Sequence, residues 1–331
     1  TQHREIRRLE QVIEQLGDRL THDPFLSASM HNVLSSVTAV RSASAILAQG
    51  GDIEPEWQAR FHRNIHEDSQ RLAEATETLV QYLDSDAGNE APASLPNDEI
   101  DAWLNGLGWC VEAIETDPGA DLDAILETAE GLSASARRLA KGFLARYAGD
   151  VSSVPRDLLQ AEIRENADPM SLAQRFEVDL PCIFRRLASL PRESLPDDGL
   201  PFGLVACDAS GTLIFRKPAP GFDLPRYSAA CPLWPLFQAM QRPMTPVTQT
   251  ITMAGRDEAS FDTVSFSSIH YPGGFGGPAV IEAWMLIRPL IRPAETAAGH
   301  RVGTSCRVCS EAHCVARREP SVFAWDDTDG L

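Results

Sequence analysis

Apolar residues recur three and four positions apart along residues 2–17. Ile6, Leu9, Val12, Ile13 and Leu16 share one face there, which predicts a helix ended by Thr21-His-Asp-Pro24. The same period runs from Phe25 to about Gln49 through Leu26, Met30, Leu34, Val37, Val40 and Ile46. After the Gly50-Gly51-Asp52 turn it resumes from Pro55 to Leu83 through Trp57, Phe61, Ile65, Leu72, Ala75, Leu79 and Leu83. Two long helices with a short connection form an antiparallel hairpin, whose apolar faces need a partner; pairing with a second copy gives a four-helix bundle. Residues 84–97 have little apolar content and read as a linker. Further helices follow: one capped by Asn97 or Asp98 and ending at Gly106, then Asp121–Glu130, Ser133–Tyr147 and Pro155–Ala167, with Ser153 near the start of the last as a candidate cap. Asp168 opens a further pair, Leu172-Ala173-Gln-Arg-Phe176 and a helix with Arg185 and Arg186, wired like a helix–turn–helix. Those arginines either read DNA or pair with nearby acids.

From Pro201 the period shifts toward two. Strands are expected at Phe202–Cys207, Gly211–Arg216, Pro246–Ala254, Phe261–Tyr271 and Ala279–Ile287, with a helix within Pro232–Gln241. The fold class is therefore α+β. The expected parts are a helical dimerisation hairpin over 1–86, a helical region over 98–195, and an antiparallel sheet domain with a Cys-rich tail over 200–331. Five antiparallel strands with one or two helices resemble PAS or GAF sensor modules, in which sheet and helices clasp a small molecule. The Pro272-Gly-Gly-Phe-Gly-Gly-Pro278 loop lacks the Lys-Ser/Thr ending of a phosphate loop.

Composition changes the picture little: 331 residues, 43% hydrophobic and 23% charged, are ordinary globular values. The net charge of −18 argues against this segment gripping nucleic acid itself. No apolar run reaches the roughly 20 residues of a membrane span and no signal peptide is visible, so a cytoplasmic protein without membrane contact is expected. The chain starts at Thr1 in mid-helix pattern, as a fragment would.

The chemistry concentrates late. Cys306, Cys309 and Cys314, spaced C-x2-C-x4-C behind Gly303, can turn three thiols toward one point, which suits zinc or an iron–sulfur cluster. Cys231, in Ala-Cys231-Pro-Leu-Trp234, is the better fourth ligand, because His313 directly precedes Cys314. Arg307, Arg317 and Arg318 would lower the thiol pKa values. The plainer alternative is three free thiols, or one disulfide and a spare.

Two resemblances add to this. His31-Asn-Val-Leu-Ser-Ser-Val-Thr-Ala-Val-Arg41 resembles the H-box of sensor histidine kinases, with Glu67–Leu83 similar to their second helix. Asn32, Leu34 and Ser36 depart from that pattern and no ATP-binding domain follows, so His31 is either a phosphoacceptor or an ordinary polar surface residue. The C-terminal third is similar to the short-chain fatty acyl transcriptional regulators of bacteria, on Cys231-Pro-Leu-Trp234 and Gly303-Thr-Ser-Cys306-Arg-Val-Cys309 through Cys314-Val-Ala-Arg317-Arg318. Arg137–Leu190 resembles the end of the peptidase-like module preceding that domain; H-E-x-x-H is absent, so no enzyme activity is carried over.

This resemblance implies a cytosolic homodimeric regulator that senses a short-chain acyl-CoA and binds DNA through a helix–turn–helix domain upstream of Thr1. It also implies a [4Fe-4S] cluster, or alternatively zinc, on Cys231, Cys306, Cys309 and Cys314. Arg216, Lys217, Arg288 and Arg292 are candidates for the acyl-CoA phosphates, with Trp234 also in the ligand site. Two other readings stay open: a redox sensor whose cluster is the signal, and a kinase-like phosphotransfer protein.

Overall fold

The structure is a computed structural model that describes residues 24–48, 54–84, 96–195, 199–225, 228–254, 259–274, 276–290 and 300–321. The helix expected over 2–17, the side chains of Leu79 and Leu83, and Arg292 lie outside the described residues. The chain divides near Ser94 into two compact units.

The first unit holds α1 (Pro24–Ala48) and α2 (Pro55–Asp84), which pack against each other. Ser29 and Ala43 are buried, whereas Met30, Leu34, Val37 and Ile46 of α1 are exposed. On α2, Arg60 stacks over the exposed Trp57 ring at 5.1 Å. His31 is exposed.

The second unit begins with α3 (Pro96–Gly106), α4 (Glu112–Thr116), α5 (Leu122–Glu127) and α6 (Ala134–Ser153). It continues through α7 (Arg156–Glu165), α8 (Pro169–Phe176) and α9 (Leu180–Ser189). Short acceptor side chains set several of these starts. Asp121 accepts from Asp123 and Ala124, Ser133 from Ala136, Asp168 from Ser171 and Asp179 from Cys182, each satisfying an orphan amide. Ser153 is no cap; it ends α6, and Pro155 occupies the N-cap of α7. Glu177, at φ 54°, closes α8 in the left-handed region and makes the tight turn into α9.

The sheet has the order β2-β1-β5-β4-β3-β6. Its strands are β1 (Gly203–Asp208), β2 (Leu213–Lys217), β3 (Val247–Met253), β4 (Ser260–His270), β5 (Val280–Pro289) and β6 (His300–Val302). Five strands pair antiparallel as expected. The sixth, three residues long, runs parallel to β3 with Ile251 opposite His300, and so corrects the five-strand expectation. The helix α10 (Pro235–Met240) covers one face.

Alternation along β1 and β5 feeds two cores. Leu204, Ala206, Trp284 and Leu286 pack with α7, α8 and α9. Val205, Cys207, Ala283, Met285 and Ile287 pack with Trp234, Leu236 and Phe222 on the other side. A third core joins α3 to α6, through Leu104, Ile114, Ala140 and Leu144.

Arg185 and Arg186 point inward, which removes them from any DNA-reading surface. Arg186 is fully buried, with Nη1 and Nη2 donating to Glu115 at 2.6 and 3.0 Å and Nε to the Val154 carbonyl at 2.9 Å. Arg185 makes a two-pronged pair with Asp150 at 2.6 and 2.8 Å. The helix–turn–helix wiring is present in α8 and α9, but its cations are spent on acids brought in from α4 and α6.

Candidate functional site

Two recesses carry the candidate chemistry. The first collects Cys231, Cys306, Cys309 and Cys314 around a space of about 300 Å³, together with Leu233, Arg301 and Arg317. Short-range geometry builds it. The segment before Cys231 bridges to the tail through Ala230 and Ser305, and Cys231 N donates to the Thr304 carbonyl at 3.0 Å. Trp234, fully buried, donates its Nε1–H to the Gly303 carbonyl at 2.8 Å. Gly303 is required by space: a Cβ there would meet Cys309 Cβ and Sγ at 2.8 Å. Arg317 donates to the carbonyls of Cys306 at 3.1 Å and Cys309 at 3.3 Å, and to that of Glu311. Arg318 reaches Ala230 O at 2.7 Å. The two arginines thus lace the thiol loop and tie it to the Cys231 segment.

Cys231, Cys306 and Cys309 are buried and Cys314 is partly exposed. All seven cysteines are free thiols in this structure. His313 is exposed and takes no part in the lining. The expected lowering of thiol pKa values gives way to the opposite at two positions. Burial pushes Cys231 up, and burial outweighs the Arg317 charge at Cys309. The donor set suits a thiolate-held metal or cluster in chemistry. Among the described residues, however, no three His, Cys, Asp or Glu side chains are gathered as a metal-holding group. Sharing a recess requires only that the side chains face it, whereas ligation requires sulfurs about 2.3 Å from one ion.

The second recess, about 340 Å³, lies on the other face of the sheet. Trp109, Phe143, Tyr147 and Phe215 form aromatic walls, Ala188 and Ser189 come from α9, and Arg146, Asp150, Arg185 and Lys217 supply polar atoms. The Phe143 and Phe215 rings stack with centroids 6.0 Å apart, and Trp109 meets Phe215 edge-on at 5.4 Å. Tyr147 donates to Glu115, the partner of Arg186, so a buried polar network holds one wall.

The five ligand candidates are not brought together. Lys217 lines the aromatic recess. Arg216, its neighbour, is paired with Asp98 and Asp101. Trp234 sits in the opposite core, and Arg288, half-exposed on β5, pairs with Asp262 at 2.7 Å. Arg292 lies outside the described residues. Sequence reasoning did not single out Trp109, Phe143, Arg146, Tyr147 or Phe215. Their common signal is weak, since aromatics on three separate elements meet only in the fold.

Residues 192–325 match the family described as short-chain fatty acyl coenzyme A regulator, C-terminal. A propionyl-CoA carboxylase regulator of Cereibacter sphaeroides is 30% identical over 216 residues, covering 60% of this chain and 44% of that protein. The HTH-type transcriptional regulator PrpR of Mycobacterium tuberculosis is 26% identical over 211 residues, covering 60% and 43%. The chain spans less than half the length of these relatives. A solved Mycobacterium tuberculosis transcriptional regulator shares the fold with a TM-score of 0.51 at 23% identity, over 71% of this chain and 72% of that one. The sheet that separates the two recesses, with its cysteine tail, is accordingly the part of this chain that is similar to the C-terminal domain of short-chain fatty acyl coenzyme A regulators.

Proposed function

We propose that this chain is the ligand-sensing and dimerising part of a bacterial transcriptional regulator of short-chain acyl-CoA metabolism, and is not an enzyme. The observation that carries the reading is the match of residues 192–325 to the acyl coenzyme A regulator domain. The antiparallel five-strand core with a helix on one face and an aromatic recess on the other supports a PAS/GAF-like clasp around a small molecule. In this reading residues 1–86, 98–195 and 200–331 are the dimerisation, helical and sensing parts. The net charge of −18 and the inward Arg185 and Arg186 support DNA contact through a segment beyond this chain, in the cytoplasm.

The thiols of Cys231, Cys306, Cys309 and Cys314 would hold a [4Fe-4S] cluster, with zinc the alternative. Bound there, either would cross-link the tail to the sheet domain and supply a structural or redox centre. The convergence of these four cysteines on one recess also favours a second reading, a redox sensor whose cluster is the signal.

Iron and zinc analysis of anaerobically purified protein, with calorimetry against acetyl-, propionyl- and butyryl-CoA, tests all of this. Iron with visible absorption is expected, together with heat from at least one ester. Zinc alone would replace the cluster and leave the sensor reading intact. Absence of heat with every ester would overturn the acyl-CoA reading in favour of the redox one.

A further inference from the structure

The helix α2 carries two histidines that the sensor reading does not use. His62 and His66, in His62-Arg-Asn-Ile-His66, are the only two of the chain's eight histidines spaced four apart. Both lie inside the 30-residue helix Pro55–Asp84, away from its fraying ends. Phe61, Ile65, Asp68 and Leu72 are the half-buried positions of this stretch, and α2 packs on α1. The opposite register, Gln58, His62, His66 and Gln70, is exposed.

An α-helix turns about 100° per residue, so side chains four apart stand one above the other, with Cβ atoms about 5–6 Å apart. Two imidazoles at that spacing can bite one ion, and H-x3-H on a helix is the arrangement that holds zinc in helical metal sites. The residue after the first histidine here is Arg63, where the hydrolytic version has glutamate, so no hydrolysis is implied.

One exposed histidine needs no explanation, and His31 is such a case. The pair differs in what surrounds it. Neither imidazole has a hydrogen bond or ion pair among the described residues, whereas His270 is bound to Ser268 at 2.9 Å. Gln58 and Gln70 extend the row by one turn each way and offer amide oxygens. Ala59, Ser69 and Ala73, on the same side of the helix, are too short to cover it. Arg63 flanks the row, but it is exposed, so water and salt screen its charge. No third His, Cys, Asp or Glu joins the two histidines among the described residues. Water and the glutamines therefore complete the shell, and the ion exchanges readily, unlike one locked in a four-ligand structural site.

We propose that His62 and His66 form a two-imidazole chelate for a divalent transition-metal ion on the outer side of α2. The site belongs to the hairpin alone. It rests neither on the acyl-CoA reading nor on the cysteine recess.

The test is a nickel titration of the full chain carrying isotopically labelled histidine, at about pH 7.5, where neutral imidazole is the ligand. Paramagnetic nickel broadens the NMR signals of the rings it touches, and nickel taken up by thiols does not enter this readout. His62 and His66 are expected to broaden together, at concentrations about tenfold or more below those that broaden His31, His300 and His313. Zinc should compete and restore both signals. In His62→Ala, His66 should need about a hundredfold more nickel, as a ligand without its chelate partner does, and His66→Ala should do the same to His62. Alanine suits an exposed helical position, and far-ultraviolet circular dichroism checks that the helix is kept. Broadening of all exposed histidines at one concentration, or of either member of the pair alone in wild type, would overturn the proposal. So would single variants whose remaining histidine binds nickel as before.

Discussion

At the scale of single residues, position in the fold outweighs residue type. Lys217 and Arg216 are adjacent cations on β2, yet one is isolated in an aromatic recess and the other pairs with Asp98 and Asp101. Burial pulls the Lys217 pKa from 10.5 down to about 8. Between those values the unfolded chain holds a proton that the folded chain has released, so this site adds stability as pH rises through the window. The slope is up to about 1.4 kcal/mol per pH unit. Chemical denaturation of wild type and Lys217→Met from pH 7 to 10.5 should show the difference moving steadily toward wild type; a pH-independent difference would mean that the lysine is not desolvated. None of this was legible in the sequence, because the isolation of one amine depends on where every acid ends up. That Cys306, Cys309 and Cys314 line one recess was legible, because they are chain neighbours with Gly303 beside them. The pKa direction of Cys231 and Cys309 was not, since flanking arginines are visible in a sequence and burial is not.

At the scale of elements, what the sequence displays depends on how far apart the interacting residues lie. Asp121, Ser133, Asp168 and Asp179 each cap a helix through a contact two or three residues away, which a sequence displays directly. Arg186 finds Glu115 across 71 residues and Arg185 finds Asp150 across 35, so the inward turn of α9 had no local signature. The strand β6 was missed because three residues give no period to detect; parallel pairing to β3 creates it. The helix pair α1 and α2 leaves Met30, Leu34 and Val37 exposed at spacings of four and three, a stripe that suits a second copy. If the proposed dimer forms through this stripe, replacing Leu34 and Val37 together by Asp is expected to shift sedimentation from dimer to monomer, with helical circular dichroism retained. An unchanged sedimentation coefficient would remove this stripe as a dimer contact.

At the scale of the whole larger unit, α7, α8 and α9 share one core with the sheet. Leu187 of α9 is fully buried in the core that also contains Leu204, Ala206 and Leu286 of the sheet. Leu187→Ala should cost about 2–5 kcal/mol and lower the helical and sheet transitions by the same amount in thermal unfolding followed by infrared amide bands. Melting of the helices alone would show that the sheet stands without them. The α+β class and the strand sequence were readable from the change of period at Pro201, but the shared core was not, because periodicity tells which face is apolar and never what covers it. One consequence follows from the strands that feed both cores. Val205 and Cys207 face one side of β1 while Leu204 and Ala206 face the other, so the middle of the sheet is a wall one strand thick with tight packing against each surface. Such a wall has no slack. Val205 and Cys207 share their core with Trp234, whose ring holds the Gly303 carbonyl at the start of the sulfur-bearing loop, so the two chambers are separated by one sheet and its side chains alone.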